Sequence, residues 1–288
     1  MNDTQIINKG KYYKEITPKH NLLDLKLKEV WKYRDLIWLF TKRSFTVTYK
    51  QTILGPAWIF INPIFTSIIY TFVFGNIAGM STDGIPQLLF YLTGTALWTL
   101  FSTCLTNNAN TFTGNAAVFG KVYFPRLTTP LSNVLSNIIQ FSIQMITAVI
   151  CLIYYVAVGE VQPNWGAWAV IPLVIIQLSF MGMGLGIIVS SMTTKYRDLN
   201  VLIGFAVSLL MYATPVVYPI SQLGDGMLRK IIICNPVTAP MELFKYAFLG
   251  QGYINLVTII TSWVFTIVVL VFGIMIFNKV EKTFMDTV

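Results

Sequence analysis

Residues 161–194 read VQPNWGAWAVIPLVIIQLSFMGMGLGIIVSSMTT, a run with no Asp, Glu, Lys or Arg. A helix of about 20 apolar residues crosses the hydrocarbon core of a bilayer, so this run holds one crossing. Working outward, intervals 54–82, 84–120, 127–159, 199–224 and 246–278 are as free of charge apart from Arg and Lys near the inner ends that bound them, and residue 245 directly precedes the last. Each is long enough for a span. The fold class that follows is all-α: a polytopic membrane protein with six transmembrane helices at 54–78, 88–107, 130–158, 168–192, 199–219 and 253–277.

The composition of the whole chain agrees. Of 288 residues, 11% are charged, 55% hydrophobic and 14% aromatic, and the mean hydropathy is +0.65. A soluble domain is about 25% charged. The net charge of +8 is topological rather than a nucleic-acid footprint, because 11 of the 20 basic residues lie in 1–53. With the N-terminus inside, 17 basic residues are cytoplasmic and three external, so the positive-inside rule places both termini in the cytoplasm. Residues 1–20 form a polar leader with no apolar signal core, and 279–288 form a cytoplasmic tail. Cys104, Cys151 and Cys234 are an odd set and read as ordinary buried thiols.

Segment 21–53 is too polar to span. Leu23, Leu27, Val30, Trp31, Ile37 and Trp38 recur at helical spacing, opposite Lys26, Lys28, Glu29, Lys32 and Arg34. This predicts an amphipathic helix over 21–38 in the inner headgroup layer, capped by Asn21 with Asp24 three residues on. Pro63 predicts a kink in the first span near Asn62. Segment 221–252 is irregular: its apolar pieces are too short to cross, and Pro236 and Pro240 divide it. It is expected to form a pair of short re-entrant helices before the last span, with a folded external hairpin as the alternative.

Several chemistries are excluded. Gly114 and Gly120-Lys121 miss a phosphate-binding loop, since five residues separate the glycines instead of four and Val122 stands where Ser or Thr is needed. Gly182, Gly184 and Gly186 lie in an apolar span and suit close helix packing better than a dinucleotide fingerprint. His20 is the only histidine, which argues against a metal site or a histidine-based triad. No catalytic residue is expected, and no cofactor in this chain.

The spans offer aromatic residues instead. Trp58, Phe65 and Phe72 are seven apart on one face of the first span, with Asn62 beside them, and Phe205 and Tyr212 are seven apart on the fifth, with Ser208 on the same flank. Such aromatics also occur against lipid or other helices. Read functionally, they form a substrate channel: aromatic faces stack on sugar rings, and Asn, Ser and Tyr offer hydrogen bonds without a charge that would trap a neutral polymer. Ion-coupled transport would need intramembrane charges. Lys195, Tyr196, Arg197 and Asp198 make a short charged inner turn, either a plain anchor for two helix ends or a handle for a cytoplasmic motor.

Ordered motifs carry a resemblance over most of the chain, from Trp31 to Phe277. They are Tyr49-Lys50-Gln51-Thr52-Ile53-Leu54-Gly55-Pro56-Ala57-Trp58 with Asn62-Pro63, Asn115 with Lys121-Val122-Tyr123-Phe124-Pro125-Arg126 and Pro130-Leu131, and Tyr196-Arg197-Asp198-Leu199. Thr214-Pro215-Val216-Val217-Tyr218-Pro219 and Asn235-Pro236 with Glu242 complete the set. In these the chain resembles the ABC-2-type permeases that export cell-surface polysaccharides, namely the O-antigen, capsule and teichoic acid exporters. It departs at Thr48, where a basic residue is common, and at Lys245, where Arg is usual.

The resemblance implies a homodimer bound to two copies of a separate ABC ATPase that holds ATP and magnesium. The channel would lie between the first and fifth spans, and the cargo would be an undecaprenyl-type lipid-linked glycan crossing a bacterial cytoplasmic (inner) membrane. The inner turn at 195–198 and the interface helix, including Leu23, Leu27 and Trp31, would contact the ATPase. Lys50, Lys121 and Arg126 would form a basic rim where the lipid pyrophosphate arrives. O-antigen is the expected cargo, with teichoic acid, capsule, or a small molecule or lipid as alternatives. A scaffold or membrane enzyme of polysaccharide assembly is the rival outside the superfamily.

Overall fold

A computed structural model describes residues 27–50, 52–122, 124–194, 196 and 198–287. Among these the regular structure is helical throughout. Two helices precede the first span, α1 (Leu27–Lys32) and α2 (Arg34–Tyr49). The expected interface helix is thus broken at Tyr33 and runs past residue 38, while Leu23 and the predicted Asn21 cap lie outside the described residues. Its apolar side is also divided. Val30 is buried, and Leu36, Ile37 and Phe40 pack toward the bundle, whereas Trp31, Trp38 and Leu39 are exposed. Thr41 is buried and donates to Ile37 O at 2.9 Å and Ser132 O at 3.3 Å.

Among the described residues, five helices are long and apolar enough to cross a membrane. The first comprises a 3₁₀ turn (Gly55–Ala57), α3 (Trp58–Tyr70) and a π-helical stretch (Thr71–Ile77). Pro63 lies inside α3, where its ring nitrogen has no hydrogen to return to the preceding turn. The others are α4 (Gln87–Ala109), α6 (Thr128–Val158), α7 (Ile171–Thr193), which is led in by a 3₁₀ turn over Trp165–Val170, and α11 (Leu256–Thr287). Short α5 (Thr111–Phe119) follows α4.

The core is built on α4. Leu89, Tyr91, Leu97, Phe101 and Cys104 are all fully buried, and this helix has no strong polar face because α3, α6 and α7 surround it. Gly182 and Gly186, four apart on α7, meet α4: a Cβ at Gly186 would lie 2.5 Å from Leu105 O, and one at Gly182 would lie 2.7 Å from Phe101 O. Gly184, on the opposite side, meets the α11 backbone at Leu270. The glycine run is therefore a two-sided packing surface, as its small residues predicted. Cys104 is buried, Cys151 half-buried and Cys234 exposed, and all three are free thiols.

The fifth span in chain order is unlike the rest. Helix α8 (Leu199–Tyr212) has 14 residues, a rise of about 21 Å against a hydrocarbon core of about 30 Å. It stops because Pro215 has no amide hydrogen and disfavours the helical region at Thr214. Residues 213–219 continue without regular structure, and segment 221–252 holds two short helices, α9 (Met227–Cys234) and α10 (Thr238–Leu249). The break between them falls at Asn235-Pro236. Pro240 lies in the first turn of α10, where a missing amide hydrogen costs nothing.

Candidate functional site

The first and fifth spans are the least covered in the chain. On the first span, Tyr70 of α3 and Phe74 of the π-helical stretch turn inward and meet Tyr91 with ring centroids 6.1 and 6.4 Å away. That leaves Phe65 62% and Phe72 59% exposed, with Trp58 at 40%. On α8 only Val207 is buried, while Phe205 is 64% and Tyr212 60% exposed. Ser208 is exposed and donates to Gly204 O at 2.9 Å. Both α3 and α8 pack on α4. Neither α3 nor α8 contains Asp, Glu, Lys or Arg.

Trp58 and Asn62 also border a half-open groove of about 390 Å³ between α2, α3, α4 and α6. Its floor is polar: Thr95 and Thr99 come from α4, and Gln140 and Gln144 from the middle of α6. A second hollow of about 390 Å³ shares Thr48 and Gln140 with the first and continues inward past Arg43, Asn107, Asn115 and Asn133. Burial raises the Tyr49 phenol above its ordinary 10.0, so at neutral pH it keeps its proton. The polar residues lining the two hollows are four apart in otherwise apolar spans, Ser132, Ser136, Gln140 and Gln144 on one and Thr95 and Thr99 on the other. Aromatic spacing alone passes over them.

The basic residues divide. Lys50 and Lys121 are exposed. Arg126 is drawn inward, 3.8 Å from Glu281 Oε1, donating to Glu281 O at 2.7 Å and lying over the Phe119 ring at 5.4 Å. It ties the loop before α6 to the end of α11. In the inner turn, Tyr196 and Asp198 are exposed and Asp198 O accepts the first backbone bonds of α8, from Val201 at 3.0 Å and Leu202 at 3.3 Å. Lys195 and Arg197 lie outside the described residues. Leu27 opens α1, and Trp31 is free to meet a partner or a headgroup layer.

Beyond α8, the non-helical part of the fifth span is held by residues that residue spacing did not single out. Asn235 Nδ2 donates to Ala213 O at 2.9 Å and Thr214 Oγ1 at 3.0 Å. Lys245 Nζ donates to Pro215 O at 2.5 Å and to Glu242 Oε1 at 3.0 Å, and lies 4.4 Å from the Phe90 ring centroid. Glu242 Oε2 accepts from Tyr253 N at 2.9 Å. Both charges are almost fully buried, Lys245 at 2% and Glu242 at 3%. Gly94 lets α4 approach Val216 O, which a Cβ would meet at 2.6 Å. Irregular backbone survives at such depth only when covered in this way.

A helical bundle of membrane spans, with two neutral, aromatic-bearing spans left open, is the class of architecture a membrane transport subunit has. The family follows from comparison: residues 35–249 match the ABC-2 type transporter model, and the chain belongs to that family. It is similar to two Klebsiella pneumoniae proteins named O-antigen export system permease protein RfbA. One is 30% identical over 257 residues, covering 88% of this chain and 94% of the relative; the other is 29% identical over 253 residues with the same coverage. A Myxococcus xanthus protein of that name is 27% identical over 226 residues, covering 77% of this chain and 83% of the relative.

Proposed function

We propose that the chain is the transmembrane subunit of an ATP-driven exporter that moves a lipid-linked cell-surface polysaccharide of the O-antigen type across the bacterial cytoplasmic membrane. The observation that carries this reading is the open, charge-free aromatic face on α3 and α8, in a chain whose relatives over nearly their whole length are named for O-antigen export. Two copies would set these faces opposite one another, and sugar rings would advance along Trp58, Phe65, Phe72, Phe205 and Tyr212. Asn62 and Ser208 would supply hydrogen bonds, and no fixed charge would hold the polymer back.

A separate ATPase pair would bind ATP and magnesium, and its closure would act on α1–α2 and on the inner turn at 195–198. Both termini would then be cytoplasmic, with Lys50 and Lys121 on the side where the lipid pyrophosphate arrives. The test is reconstitution of the chain with its ATPase in vesicles loaded with lipid-linked glycan. ATP-dependent appearance of glycan on the far side is expected. Transport that persists without ATP or without the ATPase would overturn the mechanism, and failure to co-purify with any ATPase would favour a scaffold.

A further inference from the structure

The groove between α2, α3, α4 and α6 takes Asn62, Thr95, Thr99, Gln140 and Gln144 from three spans, where lipid tails give polar groups no partner and each unpaired one is costly. Four of its threonine hydroxyls are committed in one direction. Thr95 Oγ1 donates to Tyr91 O at 2.7 Å, Thr99 to Thr95 O at 2.7 Å, Thr48 to Ser44 O at 2.9 Å and Thr52 to Tyr49 O at 3.0 Å. A hydroxyl that gives its proton to its own helix has only lone pairs left for the cavity. Gln144 Oε1 adds a buried acceptor with no partner. The wall is therefore rich in acceptors, and it matches a ligand rich in O–H donors. Asn62 and Tyr49 supply the complementary donors, and Trp58 supplies one aromatic side. A volume of about 390 Å³ falls in the range of ligand clefts, roughly 300–1,000 Å³.

We propose that this groove is a sugar seat in each protomer, adjoining the open face of α3 at Trp58 and Asn62, which holds a hydroxyl-bearing ring through Thr95, Thr99 and Gln144 before it moves along the conduit. The proposal rests on the glycan reading given above for the identity of its ligand. The same hydroxyl chemistry is offered by the glycerol headgroup of phosphatidylglycerol, so the two sources are tested separately.

The experiment uses the complete exporter, chain plus ATPase, in nanodiscs. In phosphatidylcholine discs, the affinities for undecaprenyl diphosphate and for the same carrier bearing an oligosaccharide are compared between the parent protein and the double variant Thr99→Val/Gln144→Leu. Loss of two or more hydrogen bonds should weaken oligosaccharide binding roughly tenfold or more and leave the bare carrier unchanged. Thr99→Ser/Gln144→Asn restores polar groups and should recover most of the loss, and an unchanged melting temperature marks the variants as folded. In a second arm, phosphatidylglycerol discs are analysed by native mass spectrometry. A lipid retained by the parent and released by the double variant supports the seat with a lipid headgroup as its occupant, even if the glycan arm and export itself fail. Equal binding of both probes by parent and variant, or a groove holding water only, overturns the proposal.

Discussion

The Nζ of Lys245 meets the carbonyl oxygen of Pro215 at 2.5 Å, so a cation on an outer helix finishes the hydrogen bonding of a span that proline has broken. The carbonyl would otherwise lack an amide donor, because the chain beyond it has left the helix. Glu242 neutralises the cation and at the same time takes the amide hydrogen of Tyr253. One ion pair thereby fastens together the broken span, α10 and the start of α11.

Removing one member of this pair should cost far more than removing both. Lys245→Met leaves a buried carboxylate and an orphaned carbonyl, and should destabilise the purified protein by about 3–5 kcal/mol. Lys245→Met with Glu242→Gln keeps an acceptor for Tyr253 without the charge, and should recover a substantial part of that loss. Thermal unfolding in detergent checks both; equal losses would show that the charge pairing is not the governing contribution.

Asn235→Ala removes donors to Ala213 O and Thr214 Oγ1 and also the acceptor for the Val237 amide at 3.1 Å. The expected loss is about 1–3 kcal/mol. Limited proteolysis of intact cells should cut 213–236 faster in the variant, because the outer end of the fifth span would have lost its tie to α9 and α10.

Glycines on α7 and α8 should respond in opposite ways. Gly186→Ala puts a methyl 2.5 Å from Leu105 O and forces two spans apart, at about 1–3 kcal/mol. Gly204→Ala on α8 meets nothing within 4 Å and should be neutral or stabilising by up to about 1 kcal/mol. Melting temperatures of the two variants give the comparison directly.

Phe65→Ala and Phe205→Ala remove side chains that are 62% and 64% exposed, so stability should change by less than about 0.5 kcal/mol. Glycan export by the reconstituted exporter should nevertheless fall several-fold, most strongly in the double variant. Export at the parental rate in that double variant would remove these rings from the conduit.

The spans and the glycine packing were readable from sequence because each depends on a local property, a charge-free run of sufficient length or small residues spaced along one helix. The open faces of α3 and α8 were readable for a related reason, since seven-residue spacing puts Phe65 and Phe205 on a defined side. What spacing could not supply is the chemistry between distant segments. Thr214-Pro215 explains where α8 stops, yet Lys245 and Asn235 reach it from the far side of a turn, and nothing in their own neighbourhood announces that. The π-helical stretch at Thr71–Ile77, with Ala78 N donating to Val73 O at 2.9 Å, is likewise invisible in residue periodicity. The groove required Gln144 of α6 and Thr99 of α4 to converge, a matter of helix packing.

The neutrality of α3 and α8 has an electrical consequence. A charge carried across the full membrane potential exchanges about 2.3 kcal/mol per 100 mV, and a wall without fixed charges feels no such force. The proton-motive voltage of a living cell would neither open nor close these two spans. Whatever sensitivity to voltage remains would belong to the cargo, and a neutral polymer should cross at the same rate in energised and depolarised vesicles.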